Sequence, residues 1–159
     1  MNNVRQLTIR DMRLREAEQV AGLVMRSFSE FIAPDYNDEG RASFTAFTRP
    51  QKLAERHVYE HFTLVAEHGG EIVGMVQVWR PSHLLMLFVD KSFHRCGVAR
   101  RLLASAIGRI RREEPHVNLL TVNSSPFALE IYTRLGFTVA GPEDRSDGVV
   151  CVPMAMRIP

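Results

Sequence analysis

The sequence has few of the residues from which disulfide frameworks and metal centres are built. It contains only two cysteines, Cys96 and Cys151, and neither lies in a CxxC or Cys/His spacing. Two cysteines are too few for a disulfide framework, and structural zinc sites use four closely spaced ligands. We therefore expect two free thiols and no metal site.

Long hydrophobic runs are also missing. The longest unbroken apolar run extends from Leu84 to Val89, whereas a membrane-spanning helix needs about 20 such residues. The amino-terminal region interleaves charged and apolar residues, which a secretory signal does not tolerate. We expect a cytoplasmic protein without a membrane partner.

Lysine is scarce, and the basic charge is almost entirely arginine. The chain has 20 basic and 18 acidic residues, a net charge of +2 that gives no general nucleic-acid footprint. Six arginines nevertheless lie between Arg95 and Arg112. One interpretation makes Arg109, Arg111 and Arg112 the solvated end of a helix, where positive charge is favourable. The alternative is an arginine-based nucleic-acid surface, but few aromatic residues interleave there, and we expect no nucleic-acid partner.

What the sequence does contain is the composition of a globular domain. At 159 residues, with 45% hydrophobic and 24% charged residues, the chain is long enough for one substantial core and short for two. We therefore predict a single domain over residues 1–159.

Hydrophobic periodicity and turn residues predict an α/β chain. In order, we expect a strand over 4–9, a helix over 14–31 capped by Asp11, a short helix near 44–47, a helix opened by the capping box 48–51, a hairpin over 62–78, a strand over 84–89, a helix over 97–112, a strand over 117–122, a helix over 126–135, and closing strands over 137–140 and 149–156. The strand over 84–89 is apolar on both faces, which is typical of the middle of a sheet.

The turn after this central strand has the chemistry of a phosphate site. Backbone amides from Arg95 to Ala99 lie where a helix begins, and Gly97 allows a ligand to approach closely. A glycine turn between a strand and a helix is also common for purely structural reasons. The segment resembles neither a Walker A loop nor a GxGxxG fingerprint.

Two segments resemble motifs of the GCN5-related N-acetyltransferases (GNAT). The stretch VDKSFHRCGVA is similar to the acyl-coenzyme A motif Q/R-x-x-G-x-G/A, with Gly97 and Ala99 at the small positions and His94 where the family has Gln or Arg. Downstream, TVNSSPFALEIYTRLGF resembles the family's second stretch through Asn123 and Tyr132.

The resemblance implies a mixed sheet of about seven strands, flanked by helices and splayed between the strands that end at Val89 and near Val122. Acetyl-CoA, as co-substrate, would occupy the gap. The residues implied to bind it are Leu87, Phe88, Val89, His94, Arg95, Cys96, Gly97, Val98, Ala99, Arg100 and Asn123, with Arg101 and Arg134 as weaker candidates for the adenosine end.

The resemblance also implies an N-acetyltransferase that moves acetyl from acetyl-CoA to a primary amine, of a small molecule or a peptide, in a ternary complex. Tyr132 matches the family's general acid; the alternative is a tyrosine packed in the core. His83 occupies the position of the family's basic carboxylate and would act directly or through water, or else is an ordinary hydrogen-bonded strand residue. A catalytically weak CoA-binding regulatory module is the alternative function.

The acceptor would be recognised by the amino-terminal region. Acidic and phenolic side chains cluster there and would favour a cationic amine, although charged residues can also simply keep a loop in water. They are Glu30, Asp35, Tyr36, Asp38 and Glu39. A homodimer formed through the last strands is a further expectation.

Overall fold

The computed structural model describes residues 4–159 and contains a seven-stranded sheet of order β1-β2-β3-β4-β5-β7-β6. The strands are β1 Thr8–Asp11, β2 His61–His68, β3 Glu71–Trp79, β4 His83–Val89, β5 Leu119–Ser124, β6 Thr138–Val139 and β7 Val152–Arg157. The helices are α1 Ala17–Ser27, α2 Asp38–Phe47, α3 Pro50–Val58, α4 Val98–Glu113 and α5 Leu129–Leu135. Within the described residues, no helix is long and apolar enough to span a bilayer.

The sheet combines two pairing modes. β1 to β4 form an antiparallel meander, β4 and β5 run parallel, and β5, β7 and β6 are again antiparallel. Parallel neighbours need a crossover connection, which α4 supplies between β4 and β5. The predicted α/β class and the central place of β4 are therefore confirmed.

Helices cover both faces of the sheet. α4 and α5 pack on one face, where Leu102 and Ala106 meet Val76 and Leu84 in the largest apolar cluster. α1 and α3 pack on the other, where Val24 and Leu53 belong to a second cluster. The apolar stripes of the helices thus account for the core, and they leave β4 and β5 in the middle of the molecule.

The predicted start of the first helix is wrong. Asp11 ends β1 instead of capping a helix, and its carboxylate accepts from Arg109 Nη1 at 2.5 Å. A short 3-10 turn begins after Arg13, whose backbone amide donates to the Glu16 carboxylate, and α1 follows from Ala17. Arg109 therefore ties α4 to β1 and is not part of a solvated helix end, because it also lies 4.5 Å above the Phe62 ring.

Two other predicted boundaries also move. The first strand begins at Thr8, since residues 4–6 form a 3-10 turn. α3 begins at Pro50 as the proline suggested, but the capping box does not form because the Thr48 hydroxyl bonds backward to the Phe44 carbonyl, 3.0 Å away.

Candidate active site

The central feature of the site is a gap between β4 and β5. The two strands pair only where His83 meets Thr121 and Leu84 meets Val122, after which they diverge towards Val89. At this point Leu85 interrupts the regular register of β4 against β3. The predicted splay is thus present, and it begins at a bulge, a feature that often re-aims a strand beside a site.

Backbone groups of β4 face this gap in alternation. The Asp90 amide donates to Val73 O of β3 at 2.8 Å, and in an antiparallel pair alternate residues point to the same side. The Phe88 amide therefore faces β3, whereas the Leu87 and Val89 amides face the gap. Of the three main-chain positions predicted to contact the cofactor, Leu87 and Val89 thus have amides that face the gap, and Phe88 has one that faces β3.

The loop between β4 and α4 forms an open cradle. Arg95 and Gly97 both have positive φ values, +60° and +80°, and a side chain added at Gly97 would meet no atom within 4 Å. The first internal hydrogen bond of α4 runs from the Arg101 amide to the Gly97 carbonyl, 3.1 Å. The amides of Val98, Ala99 and Arg100 therefore lack an intrahelical acceptor, as at the start of any helix.

The His94 side chain folds back onto the strand. Its Nε2 donates to Val89 O at 2.9 Å, so the imidazole closes the loop against the end of β4. Its ring centroid lies 5.5 Å from that of Phe31, and Cys96 Sγ lies 3.5 Å from the His94 carbonyl oxygen. Residue 94 therefore braces the loop through its side chain.

The arginines near the loop are held by the chain itself. Arg100 donates to Arg134 O at 3.3 Å, and Arg101 donates to Leu7 O at 2.9 Å. Arg134 is paired with Glu130 on α5. The guanidinium of Arg101, a candidate for the adenosine end, is thereby bonded to the chain before β1.

Tyr132 lies in the largest apolar cluster, against which Leu87 and Val89 of β4 also pack. Its ring packs at 5.4 Å against Phe137 in an edge-to-face contact, and the residue is 7% exposed. Burial raises the pKa of its phenol above the ordinary value. Among the described residues, the Tyr132 hydroxyl makes no hydrogen bond. Every fully buried side-chain oxygen of these residues has a hydrogen-bond partner, so this hydroxyl is not fully buried. The hydroxyl thus reaches a solvent-accessible surface and stays protonated at neutral pH.

His83 lies at the closed end of the gap, where β4 and β5 still pair. Its Nδ1 is 2.8 Å from Thr121 Oγ1, and its ring makes an edge contact with Trp79 at 6.3 Å. Burial lowers the pKa of the imidazole. A neutral ring with one nitrogen committed to a hydroxyl keeps its second nitrogen available as a proton acceptor. Asn123, two residues after Thr121 on β5, has an exposed side chain.

The predicted acceptor cluster does not form one acidic mouth. Glu30 is paired with Lys91 at 2.5 Å, and Asp38 lies 3.5 Å from Arg41. Tyr36 is buried, and its ring packs edge-on against Phe28 at 5.5 Å. Asp35 and Glu39 are exposed. Two of the four carboxylates are therefore engaged in ion pairs, and the tyrosine belongs to the core.

Sequence reasoning missed two contacts beside the gap. Phe31 stacks on Phe127 with centroids 4.8 Å apart, which joins the segment after α1 to the loop after β5. Arg56 reaches from α3 to Gln77 on β3. The signal for the second was available, because Gln77 is a polar residue within an apolar strand. Residues 4–159 contain no group of three or more His, Cys, Asp or Glu side chains that could hold a metal ion.

Comparisons with known proteins agree with this geometry. Residues 32–158 match the model of the acetyltransferase (GNAT) domain. The S-(2-succino)cysteine N-acetyltransferase of Bacillus subtilis (strain 168) is 24% identical over 157 residues, 91% of this chain and 92% of that protein.

Solved structures share the fold. A GCN5-related N-acetyltransferase from Rhodopseudomonas palustris superposes with a TM-score of 0.81 at 22% identity, over 94% of both chains. The PaiA N-acetyltransferase of Thermoplasma acidophilum, solved in complex with coenzyme A, has a TM-score of 0.79 at 16% identity, over 95% of this chain and 98% of that one. The sheet has the splay that the resemblance implied, and with a family model that covers most of its length the chain belongs to the GNAT acetyltransferase family.

Proposed function

We propose that this protein is an N-acetyltransferase that transfers acetyl from acetyl-CoA directly to the primary amine of a small molecule, in a ternary complex. The observation that carries the proposal is the unpaired edge of β4, which exposes main-chain donors and acceptors inside the fold. Buried backbone groups are nearly always hydrogen-bonded. An amide-containing arm such as pantetheine is the kind of ligand that would complete this edge.

The loop after β4 suits the other end of such a ligand. Gly97 leaves open space, and the unpaired amides at the start of α4 carry the partial positive charge that favours phosphate. Arg95 is exposed beside them. The residues present therefore fit a coenzyme with an amide-bearing arm and a pyrophosphate.

The chain offers a group for each demand of acyl transfer. As the amine nitrogen attacks the thioester carbon, the carbonyl oxygen becomes an oxyanion, and the Leu87 amide faces the gap where it can donate to it. When the carbon–sulfur bond breaks, the Tyr132 phenol is the candidate that protonates the departing thiolate. His83, neutral at physiological pH, is the candidate that takes the proton from the amine, directly or through water.

The acceptor class draws on the relative named for acetylating S-(2-succino)cysteine. That name describes the amino group of a cysteine S-conjugate, a small primary amine. We therefore place small amines, with cysteine S-conjugates among them, ahead of peptide and protein amines.

The test begins with acetyl-CoA binding. At 100 times its dissociation constant, a ligand adds about 2.7 kcal/mol to the free energy of unfolding, which corresponds to roughly 5–10 °C in Tm for a protein of this size. Gly97→Leu should abolish most of this shift because the side chain would project into the cradle. Gly70→Leu is the matched control, since Gly70 has a φ of +83° and equally open surroundings but lies in the β2–β3 turn.

Catalysis is then measured as the release of free CoA thiol with a panel of primary amines. Amine-dependent release that Gly97→Leu abolishes and Gly70→Leu retains would support the proposal. A clear thermal shift without turnover on any amine would instead favour a CoA-binding regulatory module. An equal loss of the acetyl-CoA-dependent Tm shift in both glycine variants would mean that the loop at Gly97 does not bind the coenzyme specifically.

A further inference from the structure

A half-buried arginine faces the sheet beside the proposed active site. Arg56 lies one turn after the fully buried Leu53 on α3, and residues three apart share a helix face. Its Nε donates to Gln77 Oε1 at 2.9 Å and its Nη2 to Phe47 O at 2.8 Å. The guanidinium carbon lies 3.8 Å from the centre of the Phe47 ring. These contacts fix the orientation of the guanidinium.

The contact with Gln77 is itself held in place. Gln77 and Thr63 are both fully buried, and Gln77 Nε2 donates to Thr63 Oγ1 at 2.8 Å. This second hydrogen bond orients the amide so that its oxygen, and not its nitrogen, faces Arg56. A buried chain of hydrogen bonds of this kind is stabilising only when all its donors and acceptors have partners. The Gln77–Thr63 bond therefore holds the oxygen that positions the guanidinium.

Among the described residues, Arg56 forms no ion pair, whereas Arg10 and Arg109 each contact a carboxylate. The neighbouring Glu55, whose charge favours the Arg56 cation, forms its own ion pair with Lys52 at 3.4 Å. Burial lowers the pKa of the Arg56 guanidinium. A partly desolvated cation surrounded by neutral oxygens is unfavourable by itself. An anion arriving there would remove that cost.

The position of Arg56 relates it to the gap. Gln77 pairs with Met86 of β4, and Trp79, two residues further along β3, pairs with His83. Side chains two residues apart share a face, so Arg56 lies over the same face as His83, one strand away from the edge of β4 that borders the gap.

We infer that Arg56 binds a carboxylate of the acceptor, several bonds removed from the amine that is acetylated. This inference rests on the proposed function. Neighbouring strands are about 4.8 Å apart, and Arg56 stands over β3 while the amine would react beside β4. An α-carboxylate, attached to the carbon that bears the nitrogen, is too close to reach the guanidinium. A carboxylate on an amino acid side chain has the required reach, and it would accept a charge-assisted bond from Nη1, which donates to no acceptor among the described residues.

The experiment compares two acceptors that differ only in charge. S-carboxymethylcysteine carries a side-chain carboxylate five bonds from its amine, and S-carbamoylmethylcysteine carries the uncharged amide in the same place. For the wild-type protein we expect kcat/KM to be at least about tenfold higher for the carboxylate, since hydrogen bonds to charged groups exceed neutral ones. Arg56→Gln should bring the ratio close to one, and Arg56→Lys should leave an intermediate ratio, with KM for acetyl-CoA unchanged in both.

The matched control is Arg109→Gln, which removes another half-buried arginine stacked on a phenylalanine, but on the opposite face of the sheet. It should keep the wild-type ratio. An Arg56→Gln variant that loses activity equally on both acceptors would assign Arg56 a structural role and overturn the inference. A wild-type ratio near one, or acetylation of other amines but of neither conjugate, would overturn it while leaving the proposed function intact. Failure to acetylate any amine would remove both.

Discussion

The two edges of β4 carry the same backbone donors and acceptors but differ in how far these are paired. On the β3 side, register is maintained from Gly74 to Trp79, and the only irregularity lies opposite Leu85. On the β5 side, pairing stops after Leu84. The backbone groups on the β3 side are therefore hydrogen-bonded within the sheet, whereas those on the β5 side include unpaired amides inside the molecule. Substitutions along the paired edge should therefore alter stability, whereas those that line the open edge should alter catalysis at unchanged stability.

The largest expected effect lies on the open side. Tyr132→Phe should lower kcat by at least about 100-fold, because positioned proton transfer contributes 10²–10⁴-fold. The ring and its contact with Phe137 remain, and the lost hydroxyl makes no hydrogen bond within the described residues, so Tm should change little. The measurement is steady-state CoA release alongside a thermal melt. A kcat within about threefold of the wild type would remove Tyr132 from the chemistry and leave it a core residue.

The paired edge should behave in the opposite way. Val76 is fully buried on β3, opposite Leu87, and it faces the α4 side of the core. Val76→Ala removes two methyl groups and leaves a cavity, which should lower the free energy of unfolding by about 2 kcal/mol. Denaturant unfolding measures this loss. The kcat of the folded fraction should be unchanged; a drop comparable to that of Tyr132→Phe would mean that the two edges are not independent.

These expectations show what the sequence could and could not reveal. The central place of β4 followed from its apolar run and the gap beside it from the family resemblance, because periodicity and spaced motifs can be recognised in a sequence. The boundary errors at Asp11 and Thr48 arose because a local capping pattern lost to longer-range bonds, Asp11 to Arg109 and Thr48 to the Phe44 carbonyl. Gln77 stands out in the sequence as a polar residue within an apolar strand, but its partner Arg56 lies on another element and could not be identified without the structure.

At β1, an edge strand of the sheet, ion pairs contribute to stability. Arg10 on β1 contacts Glu16 at 2.7 Å and Glu67 at 2.6 Å. The bond from Arg10, together with the one from the Arg13 amide, lowers the pKa of Glu16 to about 2. A carboxyl whose pKa is lowered in the folded state stabilises above its unfolded value, and that stabilisation is lost as the pH falls. Glu16→Gln should therefore cost about 1–2 kcal/mol at pH 7.

Unfolding curves across pH check this interpretation. The difference between wild type and Glu16→Gln should be constant above about pH 5, shrink as the pH falls through 4.5, and be smallest near pH 2. The same difference at every pH would mean that the variant acts through packing instead of charge. The rate of CoA release at pH 7 should be unchanged, because neither Glu16 nor its partner Arg10 borders the gap between β4 and β5.

The smallest expected effect concerns His83, at the closed end of the gap, where β4 still pairs with β5. Burial lowers the pKa of His83 below its ordinary 6.5, so the imidazole accepts protons throughout the neutral range and loses this ability only in more acidic solution. If it is the base, kcat should decline below pH 6.5 in the wild type, and His83→Gln should reduce kcat about fivefold at pH 7.5 and remove that decline. A base acting through water contributes less than a directly placed one, which is why a modest factor is expected.

Thr121→Val is the informative companion, because it takes away the hydroxyl at Nδ1 and leaves the His83 ring in place. It should shift the pH at which kcat declines in acidic solution without abolishing that decline. Superimposable pH profiles for wild type and His83→Gln would instead make His83 a strand residue that closes the gap, and the proton would then have to leave the amine through solvent.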